Sequence, residues 1–430
     1  MSLLRTLDRR LRGNVLAKLG SELIGRVATF GLSLLIANQL GERVFGAFNY
    51  GLALAFVLAQ IADLGLQVLM ARDVAVGGRR TQPAVRAALR LKLWLSVPVL
   101  LLLLLTTSGR PAEQQISFLL LGLAMLAQTF LEFAAYVYRG QEKVLTEAWL
   151  LASGRLLTAL VAVLALWAGA GLPGVALAYL LGAGSMAAWG LWRLRREGWF
   201  DGSGEETADG APAPPYSRLL RQALPLGIAI FLSIGYTRLA IFLLEFRLGE
   251  VAVAQFSAAQ RLVEPTQIVP AALLAAVFPA YSHALHHDPG QARRLALVSS
   301  LLLGAGGAAL AVVFWLSAPW LVPFLYGQPF ADAVPVLQIL GLSALPAYIN
   351  YNLTHVLIAR GQQLYTSIFT GLMLLLHAGL TWQLIPSFGA TAPAISVTFA
   401  ELILLLCCTL TLLLTGPRRQ TQLASAPASE

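Results

Sequence analysis

The sequence predicts an all-α polytopic membrane protein of about twelve transmembrane helices, arranged as two pseudo-symmetric six-helix lobes around a central cavity. Three observations predict it. Hydrophobic residues fill 57% of the 430 positions and charged residues only 12%, about half the charged share of an ordinary soluble domain. Apolar runs recur along the whole length, each near the roughly 20 residues that carry a helix across hydrocarbon. A polar stretch at 198–217, containing Gly202, Gly204, Gly210, Pro212, Pro214 and Pro215, divides the chain almost in half.

Lipid leaves a backbone only two ways to satisfy its polar groups, the helix and the closed barrel. Barrel strands alternate in polarity, whereas positions 99–105 and 402–408 are apolar throughout. The spans are therefore helical.

In chain order, the segment 1–14 comes first. It sets Leu3, Leu4, Leu7 and Leu11 on one helical face among arginines, the pattern of a helix lying on the membrane interface. A charged topology tail accounts for it equally. The N-terminal lobe, 15–197, holds spans near 15–39, 45–70, 91–108, 116–138, 148–168 and 173–192. The first apolar stretch is long and runs directly into the second, so it is expected to stay as a signal anchor. Residues 198–217 form a flexible linker. The C-terminal lobe, 218–415, holds spans near 223–246, 252–278, 295–317, 334–357, 366–385 and 391–414. A tail, 416–430, follows.

Orientation follows from the basic residues. With both termini cytoplasmic, only Arg43, Arg110 and Arg247 of the 30 Lys and Arg fall outside, and Arg26, Arg155, Arg238 and Arg261 lie deep within spans. The rest stand on or near the inner side. That asymmetry accounts for the net charge of +9 as topology and contact with anionic membrane lipids, and a nucleic-acid partner is rejected. Cys407 and Cys408 are adjacent and point to different faces, which suits packing rather than a disulfide or metal. No metal is expected at His283, His286 and His287, which lack partner ligands. No G-x-x-x-x-G-K-[ST] loop is present, so no ATP hydrolysis is expected.

The halves repeat. Leu40-Gly41-Glu42 with Phe48 recurs as Leu248-Gly249-Glu250 with Phe256, each time at the short turn between the first two helices of its half. Arg139-Gly140-Gln141 recurs as Arg360-Gly361-Gln362 after the fourth helix, and Gly171 corresponds to Gly389 before the sixth. Both halves start on the same side, so the repeat is parallel, an arrangement suited to rocking about a central site.

On these residues a resemblance can be stated. Ser21-Glu22-Leu23-Ile24-Gly25-Arg26, then Ala37-Asn38-Gln39-Leu40-Gly41-Glu42 and Phe45-Gly46, resembles the N-terminus of bacterial polysaccharide (O-antigen-type) export flippases. Ala62-Asp63-Leu64-Gly65-Leu66 with Ala71-Arg72-Asp73, the Arg-Gly-Gln turns and Tyr326-Gly327 are similar too. The superfamily also holds multidrug extruders and lipid II flippases. The resemblance implies a transporter rather than an enzyme, set in the bacterial cytoplasmic (inner) membrane. Its partner would be a polyprenyl-pyrophosphate-linked oligosaccharide moved from the inner to the outer leaflet for surface polysaccharide, with polysaccharide-assembly membrane proteins as further partners. For lipid II flippases it implies arginines in helices one, two and eight. Arg26 and Arg261 stand on the first and eighth, but no mid-span arginine was found on the second, which sets the expected substrate apart from lipid II.

The ionisable groups within the spans are the candidate site. An arginine or acid at mid-bilayer costs about 2.5–3.5 kcal/mol on insertion scales, so these groups are expected to face an interior, a cavity or an acidic partner. Helical spacing puts Glu22 and Arg26 on one face of the first helix, Gln60 and Asp63 on the second, and Gln128 and Glu132 on the fourth. It puts Arg238 and Glu245 on the seventh and Arg261 and Glu264 on the eighth. Arg26, Arg261, Arg238 and Arg155 are expected to bind the pyrophosphate, because a guanidinium stays charged and its fork matches phosphate oxygens. Pairing of each arginine with its own helix's acid is the bland alternative. Glu22, Asp63, Glu132, Glu245 and Glu264 are assigned to the cavity or to coupling by H+ or Na+, with packing bonds to neighbouring Ser, Thr or amide groups accounting equally for Asp63 and Glu132. No organic cofactor is expected. His355 and His377 read as packing histidines, and Pro265, beside Glu264, as a hinge. A drug or cation antiporter of the same superfamily, and a membrane glycosyltransferase or polymerase, are the rival readings. The first would want a cavity dominated by acids, and the second large outer loops carrying catalytic groups.

Overall fold

The computed structural model describes residues 9–200 and 214–415, with the side chains of 9–19 and of His286 set aside. The face that would make segment 1–14 amphipathic, the heart of the 198–217 linker and the 416–430 tail lie outside the described residues. Within them the chain is helical, with no strand.

Ten helical stretches are long and apolar enough to cross a membrane. The first and last each turn back at a glycine, so the described residues make twelve legs. Arg9–Asp63 is broken at Gly41 (φ 79°, ψ 171°) into α1 (9–40) and α2 (42–63). A side chain at that φ is strained, and glycine is not. After a break at Leu64 and Gly65, the second leg continues as α3 (Leu66–Gly77), and α4 (Gln82–Thr107), α5 (Ala112–Gly140), α6 (Val144–Trp167) and α7 (Gly171–Arg196) follow. Then come α8 (Tyr216–Leu248), α9 (Glu250–Val263), α10 (Ile268–His287), α11 (Pro289–Tyr326), α12 (Ala333–Ala359), α13 (Gln363–Phe388) and α14 (Ala392–Leu414). The eighth leg is α9 and α10, joined by a four-residue 3-10 turn at Glu264–Gln267.

The repeat is visible in the backbone. Gly249 adopts φ 81°, ψ −169°, matching Gly41, and Gly171 and Gly389 share φ of 58° and 54°. The Arg-Gly-Gln turns differ. Gly361 has φ 73°, whereas Gly140 is helical and Glu142 takes the positive φ instead. Gly140 serves a different need: a Cβ there would stand 2.6 Å from the Ala71 carbonyl, so α3 and α5 touch only without one.

Several legs outrun their apolar windows. The third begins at Gln82, not near 91, because its first turns carry Arg86, Arg90 and Lys92. The ninth runs through Pro319 and Pro323, and its start is capped by Asp288, whose Oδ1 accepts the Gln291 N–H at 3.0 Å, with Pro289 at the first helical position.

The chain forms two compact units, Met1–Gly235 and Tyr236–Glu430. The core of the first packs Leu66, Met70, Leu91, Phe133, Tyr138 and Trp199. The start of α8 seals it: a Cβ on Gly65 would lie 2.7 Å from the Gly227 nitrogen. The second has smaller cores, one around Tyr281, Ala292 and Val356 and another around Leu303, Ala344 and Tyr348. Outward faces carry Trp94, Leu105, Leu301, Leu375 and Leu413, each at least 69% exposed. Apolar surface on that scale is solvated by lipid, not water, and the protein is a multi-pass membrane protein.

Candidate functional site

In the first unit, the break in the second leg creates the most buried charge. α2 ends at Asp63, and Leu64 (φ 45°) and Gly65 (φ 83°) turn the chain before α3. Asp63 Oδ2 accepts the Gly65 N–H at 3.2 Å, and Oδ1 accepts from Lys92 Nζ at 2.5 Å. Both side chains are fully buried, with the ammonium 5.4 Å from the Phe130 ring and 5.9 Å from Phe133. Glu132 is next along α5. It accepts from Gln128 Nε2 at 3.0 Å and feels Lys92, Asp63 and Arg155 as neighbouring charges.

Arg155, from α6, lies across α1. A Cβ on Gly25 would stand 2.9 Å from its Cδ and 3.1 Å from its Nη1, so the missing side chain at Gly25 is what admits the arginine against α1. Both arginines are exposed and Glu22 is half-buried. Among the described residues neither guanidinium has a carboxylate within ion-pair distance, and Glu22, one turn from Arg26, does not pair with it.

In the second unit the charges converge across helices. Arg238 Nη1 of α8 lies 3.7 Å from Glu264 Oε1, and Arg261 Nη1 of α9 lies 3.8 Å from Glu264 Oε2. Glu264 opens the 3-10 turn, and Pro265, with no N–H to give, interrupts the helical ladder there. The expected hinge position is thus where the eighth leg breaks. Tyr326 is buried near Arg261 and Glu264. Glu245, two turns along α8, is half-buried, but the carboxylate that joins Arg238 to Arg261 belongs to Glu264.

Two groups were not anticipated. Lys92 is one of the basic residues that the charge asymmetry places on or near the inner side, at the start of the apolar window near 91. Glu401 sits in the apolar run of α14, where a lone carboxylate is itself the signal. It accepts from Tyr236 Oη at 3.0 Å and from Asn350 Nδ2 at 2.7 Å. Next to it, His377 Nδ1 meets Ser396 Oγ at 2.7 Å, Ser396 donates to the His377 carbonyl at 2.9 Å, and Thr381 donates to Ser396 at 3.0 Å. His355 bonds the Tyr351 carbonyl at 2.7 Å. Both histidines are thus held in helix packing. Among the described residues no group of acids, histidines and cysteines has the geometry of a metal site.

One end of the first unit is tied by Glu197, just past α7. It accepts from Tyr138 Oη at 3.2 Å, Lys143 Nζ at 3.0 Å and Arg193 Nε at 3.2 Å, and its carbonyl accepts from Arg79 at 2.9 Å. Burial pushes its carboxyl up, but bonds from Lys143, Tyr138 and Arg193 outweigh that and hold it below the ordinary glutamate range. A lowered folded-state pKa adds stability that is present above the unfolded value and lost as pH falls through the folded one. Glu197→Ala is therefore expected to lower the Tm of the purified protein at pH 7, by on the order of 1 kcal/mol of stability. The gap should close below about pH 4; a gap independent of pH would mean that the charge is not what ties this end.

Each unit therefore holds two arginines within its spans, and in the second unit both approach one carboxylate, that of Glu264. The family model described as polysaccharide biosynthesis protein matches residues 11–285. No curated protein matches in sequence. Among solved structures, the chain is similar to an inward-facing multidrug resistance MATE family transporter of the MOP superfamily, with TM-score 0.72, 16% identity and cover of 92% of this chain and 97% of that one. It is similar to the lipid II flippase MurJ in an inward closed conformation, with TM-score 0.73, 12% identity and cover of 92% and 87%. A MOP superfamily transporter from Pyrococcus furiosus, described as having a binding pocket of reverse polarity, aligns with TM-score 0.66, 17% identity and cover of 92% and 94%. At these identities the likeness is one of fold, which this chain shares with all three.

Proposed function

The chain belongs to the polysaccharide biosynthesis protein family, and from that premise we propose that it is a flippase for a polyprenyl-pyrophosphate-linked oligosaccharide. It carries the headgroup from the inner to the outer leaflet of the bacterial cytoplasmic membrane by alternating access, and so serves surface polysaccharide assembly of the O-antigen type. The observation that carries this reading is the convergence of Arg238 and Arg261, from two different helices, on the carboxylate of Glu264 within the spans. In the other unit Arg26 on α1 and Arg155 on α6 have no carboxylate within ion-pair distance among the described residues, and Arg155 lies against α1 at Gly25.

A pyrophosphate diester brings about two negative charges and a row of oxygens, which two forked guanidinium groups match in charge and direction. The apolar tail needs no pocket, because lipid solvates it. Export of negative charge runs with an inside-negative potential, worth about 2.3 kcal/mol per charge per 100 mV. In this reading Asp63 serves the fold through Lys92, and coupling by H+ or Na+ would fall to Glu132 or Glu264. A cationic drug is the poorer substrate, since it would meet arginines where it needs acids.

The test is leaflet accessibility. A labelled lipid-linked oligosaccharide is reconstituted in vesicles with and without the protein, and its exposure to a membrane-impermeant modifying enzyme is followed. Protein-dependent exposure is expected. Equal exposure in empty vesicles would remove the proposed activity.

A further inference from the structure

An acidic side chain occupies the place where an anion is expected to bind. Glu264 is shared by Arg238 and Arg261, yet neither contact, at 3.7 and 3.8 Å, is a close one. Charge-assisted hydrogen bonds close to about 2.7–2.9 Å. The carboxylate neutralises the two arginines without locking onto either.

Its position matters as much as its distance. The Glu264 side chain is 38% exposed, against 27% for Arg238 and 14% for Arg261, so the acid is the most accessible of the three groups. Its backbone is also the weakest part of the eighth leg. Glu264 lies in the 3-10 turn between α9 and α10, ahead of Pro265, where the missing N–H removes a helical bond and eases bending. A side chain there can swing without unwinding either helix.

The charges complete the case. Taken by themselves, the two guanidinium groups and the one carboxylate sum to +1. A pyrophosphate diester of charge about −2 balances the two arginines only when Glu264 has withdrawn. If it stayed, the carboxylate would stand against the incoming phosphate oxygens as a like charge, which disfavours binding.

We propose that Glu264 is a built-in stand-in for the substrate, an internal counter-anion that holds Arg238 and Arg261 in the empty state, yields to the incoming pyrophosphate and returns to expel it. The inference rests on the reading that these arginines bind pyrophosphate, and it adds a division of labour. The arginines supply affinity, and Glu264 limits it. A tethered competitor acts at an effective concentration in the millimolar range, so it caps binding strength and speeds release.

The experiment uses the full chain in lipid nanodiscs, with inorganic pyrophosphate as the probe in calorimetry and labelled lipid-linked oligosaccharide in the transfer assay. Glu264→Gln keeps the size and removes the charge. It is expected to bind pyrophosphate about tenfold more tightly than wild type and to transfer more slowly at saturating substrate, because release is impaired. Glu264→Asp, which keeps the charge, should restore affinity and transfer toward wild type. A merely structural glutamate predicts the opposite, weaker binding in Glu264→Gln. If pyrophosphate binds wild type, is lost in Arg261→Ala and is unchanged or weaker in Glu264→Gln, the stand-in is overturned while the arginine site survives. If binding is indifferent to Arg238→Ala and Arg261→Ala, the site itself fails and the stand-in with it.

Discussion

Vesicles carrying the Arg238→Ala/Arg261→Ala double variant are expected to transfer lipid-linked oligosaccharide roughly 10²–10⁴-fold more slowly than wild type. The magnitude follows from two hydrogen-bonded charge contacts at about 1.5–3 kcal/mol each, with about 1.4 kcal/mol to each factor of ten. Sign deepens the loss. The double variant leaves Glu264 alone, so a site of net charge +1 becomes one of −1 and repels the anion it should capture. Arg238→Lys/Arg261→Lys should fall between, since it keeps the charge and gives up the fork. Adding Glu264→Gln to the Ala double variant should recover part of the transfer by lifting the repulsion. Folding should be less affected than transfer, because Glu264 is 38% exposed and can hydrate when its partners go. Transfer by the Ala double variant at more than a tenth of the wild-type rate would refute the site in this unit.

The twelve legs were legible because hydrocarbon imposes one rule on every residue that crosses it. The turns were legible where a single residue type was forced, as at Gly41 and Gly249, whose matching backbone angles show two copies of one device. Where glycine answers different needs the pattern misleads: Arg139-Gly140-Gln141 and Arg360-Gly361-Gln362 read alike, yet one glycine admits a neighbouring carbonyl and the other reverses the chain. Leg boundaries were blurred by the same rule that revealed the legs. Hydropathy marks the lipid-facing length and not the hydrogen-bonded length, so the polar first turns of α4 were cut off, and Lys92 with them.

Of the candidate site, the residue types were readable and their partners were not. Spacing of three or four residues reports neighbours on one helix, and it correctly sets Glu264 beside Arg261. It says nothing of a neighbour on another helix. Arg238 reaches Glu264 across from α8, Arg155 reaches α1 at Gly25, and Asp63 reaches Lys92 on α4. Each contact is a product of packing. Glu401 escaped for another reason: its partners, Tyr236 and Asn350, are uncharged, so no matching opposite charge drew attention to it.

The second large effect is expected at the pair joining Asp63 to Lys92. With both side chains fully buried, neither charge can turn to water when the other is removed, and breaking such a pair by removing one partner costs about 3–5 kcal/mol. Lys92→Met strands a buried carboxylate, while Asp63→Asn strands an ammonium beside Phe130 and Phe133 but keeps a side-chain oxygen for the Gly65 N–H. Each single variant should therefore lower the Tm of the purified protein sharply and reduce the yield of folded material. The combination Asp63→Asn/Lys92→Met removes both charges and leaves the Gly65 bond in place, so it should regain most of the lost stability. Replacing a whole buried pair is often neutral, whereas halving it is not. The same cycle separates two roles for Asp63. As a coupling group it would change transfer without changing Tm, and the double variant would be inactive yet stable. As the partner that holds the broken second leg against α4, it makes stability and transfer fall together in the single variants and return together in the double. Coupling energy in the cycle below about 1 kcal/mol would show that the pair does not hold these legs together.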